Sequence, residues 1–135
     1  MNTINDMEVV IMSAKLERVD VINWMEKFKI GWIEKKKDDV LKLFEKTERY
    51  YERPFKPGTT MEEIRGYWND IDALSDITLD YDIVAIDGNT ACVHWVNKYC
   101  YQGLYDYLDG IYTIIFNENK ECIEFHQWWF REPKE

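Results

Sequence analysis

Two histidines and a scatter of carboxylates are the groups with which this chain could move protons. His126 lies in "ECIEFHQWWFRE", two residues before Trp128, Trp129 and Phe130. An imidazole titrates near working pH and suits a general base. The plainer reading is a core or interface histidine held by one hydrogen bond. Asp109 precedes Gly110. A glycine within a strand pattern reads as a bulge, which can re-aim a carboxylate into a pocket. A solvated, turn-facing aspartate is the alternative. His94 alternates with Cys92, Val96 and Cys100, a set that reads as an association face. Asp80 and Asp82 share a strand face and read as solvated acids rather than a metal pair. Cys92, Cys100 and Cys122 contain no CxxC, and with the two histidines they give no metal-ligand spacing. They read as reduced thiols, and neither a metal nor a cofactor is expected.

The walls of a site are better supplied than its chemistry. Aromatic residues make up 16% of the 135 residues: six Trp, nine Tyr and six Phe. Rings give large contact area and line ligand pockets. Tyr51, Trp68, Asn97, Tyr99, Tyr112 and Trp128 are the candidates for ligand contact, since phenols, indoles and an amide add directional hydrogen bonds to an apolar cavity. The net charge of −9 opposes a phosphate backbone, so nucleic acid is not an expected partner. No stretch approaches the ~20 apolar residues that span a bilayer. The short run Val9–Met12, flanked by Asp6 and Glu8, does not read as a secretory signal. A cytoplasmic location is expected.

Three helices and a set of strands must position these groups. Val21, Trp24, Met25, Phe28 and Trp32 recur at helical spacing after Asp20, a plausible N-cap. A second helix follows Asp38, with Val40, Leu41 and Phe44 inward. Pro54, Pro57 and Gly58 break the chain into a short strand and turn. Thr60-Met61-Glu62-Glu63 fits a capping box, and Met61, Ile64, Trp68 and Ile71 line one face of a third helix. After residue 75 the period becomes two. Asp87-Gly88, Gln102-Gly103 and Asn117–Lys120 turn a meander of long strands. Helices first and antiparallel strands last means α+β. Residues 1–18 read as an N-terminal arm or an extra strand, and 19–135 as one domain.

The last strand divides into Ile123, Phe125, Gln127 and Trp129 on one face and Glu124, His126, Trp128 and Phe130 on the other. Both faces are largely apolar, whereas a sheet with one wet face alternates cleanly. Three helices can cover one face. The other is expected to meet a second copy in a homodimer.

Over residues 20 to 131 the chain resembles the nuclear transport factor 2-like superfamily, also called SnoaL-like or cystatin-like. "YYERPFKPGTTMEEIRGYW" and "YLDGIYTIIFNENKECIEFHQWW" carry the resemblance. It implies helices packed on a strongly curved, mainly antiparallel sheet that forms a cone around a ligand pocket, and frequent homodimers. It does not imply one activity. Ketosteroid isomerases of this superfamily place a basic Asp before the first proline. Here that position is Arg53, which cannot abstract a proton at neutral pH. Glu52 is one residue away and alternation turns it from Arg53. Polyketide cyclases of the fold use pocket Asp and His, for which Asp109 and His126 are the counterparts. Similar endings carry an acid where this chain has Gln127, so acid–base work at 127 is excluded. Three readings follow: a binder of a small, mostly apolar molecule, an isomerase-, cyclase- or hydrolase-type enzyme using His126 or Asp109, and a protein-association module.

Overall fold

The structure is a computed structural model, and it describes residues 15–133. Helix α1 runs Arg18–Ile33 and α2 runs Lys37–Lys42. Strand β1, Arg49–Tyr51, precedes α3, Met61–Tyr67, which passes into a 3-10 turn over Asn69–Ala73. Strands β2 (Leu74–Asp87), β3 (Thr90–Tyr101), β4 (Leu104–Phe116) and β5 (Cys122–Arg131) then form the meander. The sheet order is β1-β5-β4-β3-β2. Among the described strands, only β1 runs parallel to its neighbour, β5. The α+β architecture is therefore three helices on a curved, mainly antiparallel sheet.

The local signals are mostly obeyed. Thr60 caps α3, its hydroxyl accepting from the Glu63 backbone N–H at 3.2 Å. Gly88 (φ +60°) and Gly103 (φ +80°) supply the left-handed conformation that the tight hairpins need. The N-cap of helix α1 is Glu17, three residues before the expected one. Asp20 sits at the third helical position instead, and its carboxylate accepts from the Glu17 backbone N–H at 2.8 Å. Met61 was expected to face inward, but it is 38% exposed at the mouth of α3. Residues 1–14 of the expected arm lie outside the described residues. Leu16, within the same arm, is buried in the core.

The core is a set of interlocked rings between α1 and the sheet. Trp24 and Phe28 of α1 stack at 5.5 Å. Phe28 packs edge-on against Tyr112 of β4 at 5.4 Å, and Phe44 packs edge-on against Phe125 of β5 at 5.1 Å. Such pairs add roughly 0.5–1.5 kcal/mol each beyond the area they bury. Asp109-Gly110 is not a bulge. The register runs evenly through Trp95, Gly110 and Trp129 on three strands, and the irregularities lie elsewhere, at Ser75/Thr78, Ile83/Ala85 and Ile115/Phe116. Gly110 is present because the Trp95 ring lies on it. A Cβ there would come within 2.7 Å of Trp95 Cε2.

The outer face of the sheet is different. Trp128, Phe130 and Val96 are 45%, 85% and 40% exposed in the single chain. They share that face with His94, Asp109, Glu124 and His126.

Candidate functional site

The short strand β1 sets the site. Tyr50 exchanges two backbone hydrogen bonds with Gly58, at 2.9 and 2.8 Å. The loop between them, stiffened by Pro54 and Pro57, is thereby closed. Tyr50 points inward, buried, with its ring stacked on Phe125 at 4.9 Å. Glu52, two residues on, faces the same way. On β5 the same alternation from Phe125 brings Gln127 inward. Its Nε2 donates to the Glu52 backbone carbonyl at 3.0 Å, tying the loop to the last strand.

These groups close one side of a cavity of about 110 Å³ under the helices. Trp32 and Trp68 meet at 80°, and Trp32 and Tyr99 at 89°, so flat rings stand at right angles as walls. Trp95 stacks on Tyr112 at 5.0 Å behind them. The Trp32 indole donates to Asn97 Oδ1 at 3.1 Å, which leaves the Asn97 NH2 as the donor for an occupant. The indole nitrogen of Trp95 is buried without a hydrogen-bond partner, and that of Trp68 lies toward the Tyr50 phenol. Among the described residues, no lysine, arginine or histidine lines the cavity.

Glu52 is the titratable group of this hollow. Burial pushes its pKa up to about 7, against the opposing pull of hydrogen bonds from Tyr50 and Gln127 and the nearby Arg53 charge. Burial, with the Glu52 charge second, raises the phenols of Tyr50 and Tyr112 above their ordinary range. Both therefore stay protonated and can donate. A carboxyl that exchanges its proton near neutrality, beside two phenols that keep theirs, can give and take a proton from a bound molecule.

Of the residues singled out in the sequence, Trp68, Asn97, Tyr99 and Tyr112 meet in this cavity. Tyr51, Trp128, His126 and Asp109 stand on the opposite face of the sheet. The His126 ring is stacked between Tyr51 at 4.2 Å and Trp128 at 5.4 Å, each within 10° of parallel. Its Nε2 is 2.9 Å from Glu124 Oε2. Asp109 Oδ1 is 2.7 Å from His94 Nε2, at the edge of an open outer groove of about 640 Å³. Neither group can reach an occupant of the inner cavity, because β-strand alternation commits each side chain to one face. The sequence reading set Glu52 aside because it anchored the site on Arg53. Arg53 is exposed, and it is the Glu52 side that meets the hollow. Counting in twos from the buried Tyr50 and Phe125 finds both Glu52 and Gln127. Asp80, 3.7 Å from Lys29, is a solvated ion pair. Cys122 is buried, and burial raises its thiol pKa to about 12, an inert side chain.

No family model matches the chain, and no curated protein sequence does. Solved structures do. SalBIII, an epoxide hydrolase/cyclase-like enzyme in pyran ring formation in the polyether salinomycin, is 13% identical with a TM-score of 0.66, over 80% of this chain and 88% of that one. A Catenulispora acidiphila protein of ketosteroid isomerase-like fold, in complex with trimethylamine, is 11% identical with a TM-score of 0.65, over 78% and 83%. An LEH-like epoxide hydrolase of M. tuberculosis is 10% identical with a TM-score of 0.63, over 83% and 84%. With three helices on a curved five-stranded sheet and a ring-lined hollow between them, the chain has the fold of the nuclear transport factor 2-like, or SnoaL-like, superfamily.

Proposed function

We propose that the inner cavity binds a small molecule and that Glu52 exchanges a proton with it. The observation that carries this reading is the Glu52 side chain at the wall of a cavity of rings, where burial outweighs the nearby Arg53 charge and pushes its pKa up to about 7. A carboxyl raised toward neutrality can serve as acid and as base. Tyr50 and Tyr112 supply fixed donors where negative charge develops on an oxygen. Gln127 holds the Glu52 backbone and so aims its carboxyl. Two of the structural neighbours are named as an epoxide hydrolase and an epoxide hydrolase/cyclase-like enzyme, which agrees with a small-molecule site in this fold. At about 110 Å³ the cavity is well below the roughly 300–1,000 Å³ of pockets for drug-sized ligands. Its occupant is compact or extends past the mouth. The acid–base role expected of His126 or Asp109 belongs in this proposal to Glu52.

The test is a carbon-13 titration of the Glu52 carboxyl. A midpoint near 7 that disappears in Glu52→Gln supports the assignment. A midpoint below 5 removes the acid–base role and leaves simple binding. The outer face supports a second element of the proposal, a homodimer, through the exposed rings of Trp128 and Phe130 beside Val96. Sedimentation at micromolar concentration checks it: a monomer that persists as concentration rises removes it.

A further inference from the structure

Phe55 carries two costs that its surroundings do not offset. Its ring is 99% exposed, and its φ is +83°. A proline followed by a residue of positive φ matches a type II turn, which favours glycine or asparagine at that second place. A bulky side chain there is strained. The ends of the loop are fixed. Tyr50 and Gly58 exchange two backbone hydrogen bonds, and the Gln127 amide donates to the Glu52 carbonyl. A type I turn has the same φ at the proline and a negative φ at the next residue. Rotating the single peptide between Pro54 and Phe55 therefore relieves the strain and swings the ring, with both ends in place. Strain of this kind disfavours the turn as it stands by roughly tenfold against the relaxed one.

The strand register says where the ring can go. β1 runs parallel to β5, with Tyr51 opposite His126. The residues that follow, Glu52 and Gln127, both line the cavity. The Tyr50–Gly58 bridge folds the chain after Glu52 into a small hairpin. Its tip, Pro54 to Lys56, continues in the direction of β5, past Gln127 toward Trp129. Trp129 lines the cavity and is 40% exposed. The Arg131 guanidinium lies over its ring at 5.6 Å and is held by Asp106 at 3.2 Å. We infer that residues 53–57 form a lid, and that in its closed position the Phe55 ring covers the cavity mouth against the exposed part of Trp129. Closing takes two apolar rings out of water together. It also removes solvent from the mouth beside Glu52. The lid rests on the cavity of the proposed function and on none of its proton chemistry. Capture of Phe55 by a partner protein is the competing use of so exposed a ring. The lid is favoured because the ring stands at the tip of a hairpin that runs along this chain's own apolar opening.

The experiment needs no ligand. A neutral, soluble gadolinium chelate is added to isotope-labelled protein, and the broadening of the Trp129 ring signals, assigned through Trp129→Phe, reads how open the mouth is. A side chain as exposed as Phe55 can be changed without harm to the fold. Phe55→Ser should raise the broadening at Trp129 roughly twofold, the ratio for a mouth covered about half of the time. Phe55→Tyr keeps a ring and should match the unaltered protein. Trp24, in the core, should respond to neither change. Equal broadening at Trp129 in the unaltered protein and in Phe55→Ser overturns the lid and leaves Phe55 as a contact for a partner. A tyrosine variant that behaves like the serine one also overturns it, because loop shape and not a covering ring would then set the exposure. The carboxyl titration of Glu52 is read independently. A midpoint below about 5 with a responsive Trp129 removes the proton exchange and keeps the lid. A midpoint of about 7 with an unresponsive Trp129 does the reverse.

Discussion

Phe125 and His126 are neighbours in one strand and both are stacked between rings, yet they live in different chemical settings. Phe125 is fully buried, touching Trp24, Phe28, Phe44, Tyr50 and Tyr112. His126 has a ring on either side but keeps part of its surface in water, with a carboxylate at hydrogen-bond distance. The same contrast divides the acids. Asp109 on the outer face is mostly exposed and paired with His94. Glu52 on the inner face has lost enough water for its proton to stay on to about pH 7. Desolvation, more than residue type, separates a group that can do chemistry from one that merely sits beside an ion.

Substitutions can break this contrast. Phe125→Ala should cost about 4 kcal/mol of stability in urea unfolding, since it empties the centre of the ring cluster. A cost below about 1 kcal/mol would deny that the inner face is the core. Gly110→Ala should cost about 3 kcal/mol, because the new methyl meets Trp95 and the Trp128 carbonyl rather than open space. The indole spectrum should show Trp95 displaced. Glu52→Gln should act in the opposite sense. A carboxyl whose pKa is raised on folding favours the folded state least at high pH. Stability is therefore full below pH 4.5, falls through the interval to about 7, and is flat above it. The glutamine should add roughly 2 kcal/mol at pH 8 and remove that slope, as read by thermal unfolding across pH. Smallest is Phe130→Ser on the outer face, within about 0.5 kcal/mol for the monomer. A loss that grows with protein concentration would instead show that this ring is covered by a second copy.

The fold was legible because long strands and helices announce themselves by period. Ile77 and Leu79 on β2 and Trp24 and Phe28 on α1 are buried at the spacing that the sequence shows. The site was legible only in part. Trp68, Asn97, Tyr99 and Tyr112 sit on regular elements, and their sides follow from alternation. Glu52 sits just past a three-residue strand, too short to show a period of its own. Its direction is set by pairing with a strand some 75 positions away, through the Gln127 hydrogen bond. His126 drew attention as a titratable group among rings, but composition does not reveal which face has lost its water. Gly110 was misread for a related reason: a close approach from the neighbouring strand and a bulge leave the same mark in a sequence.

The parallel pairing of β1 with β5 also sets an order of events. Arg49–Tyr51 finds its place only against Glu124–His126, so this edge is a contact of high sequence separation and forms late relative to the hairpins. The β2–β3–β4 hairpins can assemble from local contacts alone, but the carboxyl at residue 52 reaches its dry setting only when the tail of the chain has docked. A nascent or truncated chain that stops before residue 122 would carry most of the sheet and an ordinary, water-exposed glutamate.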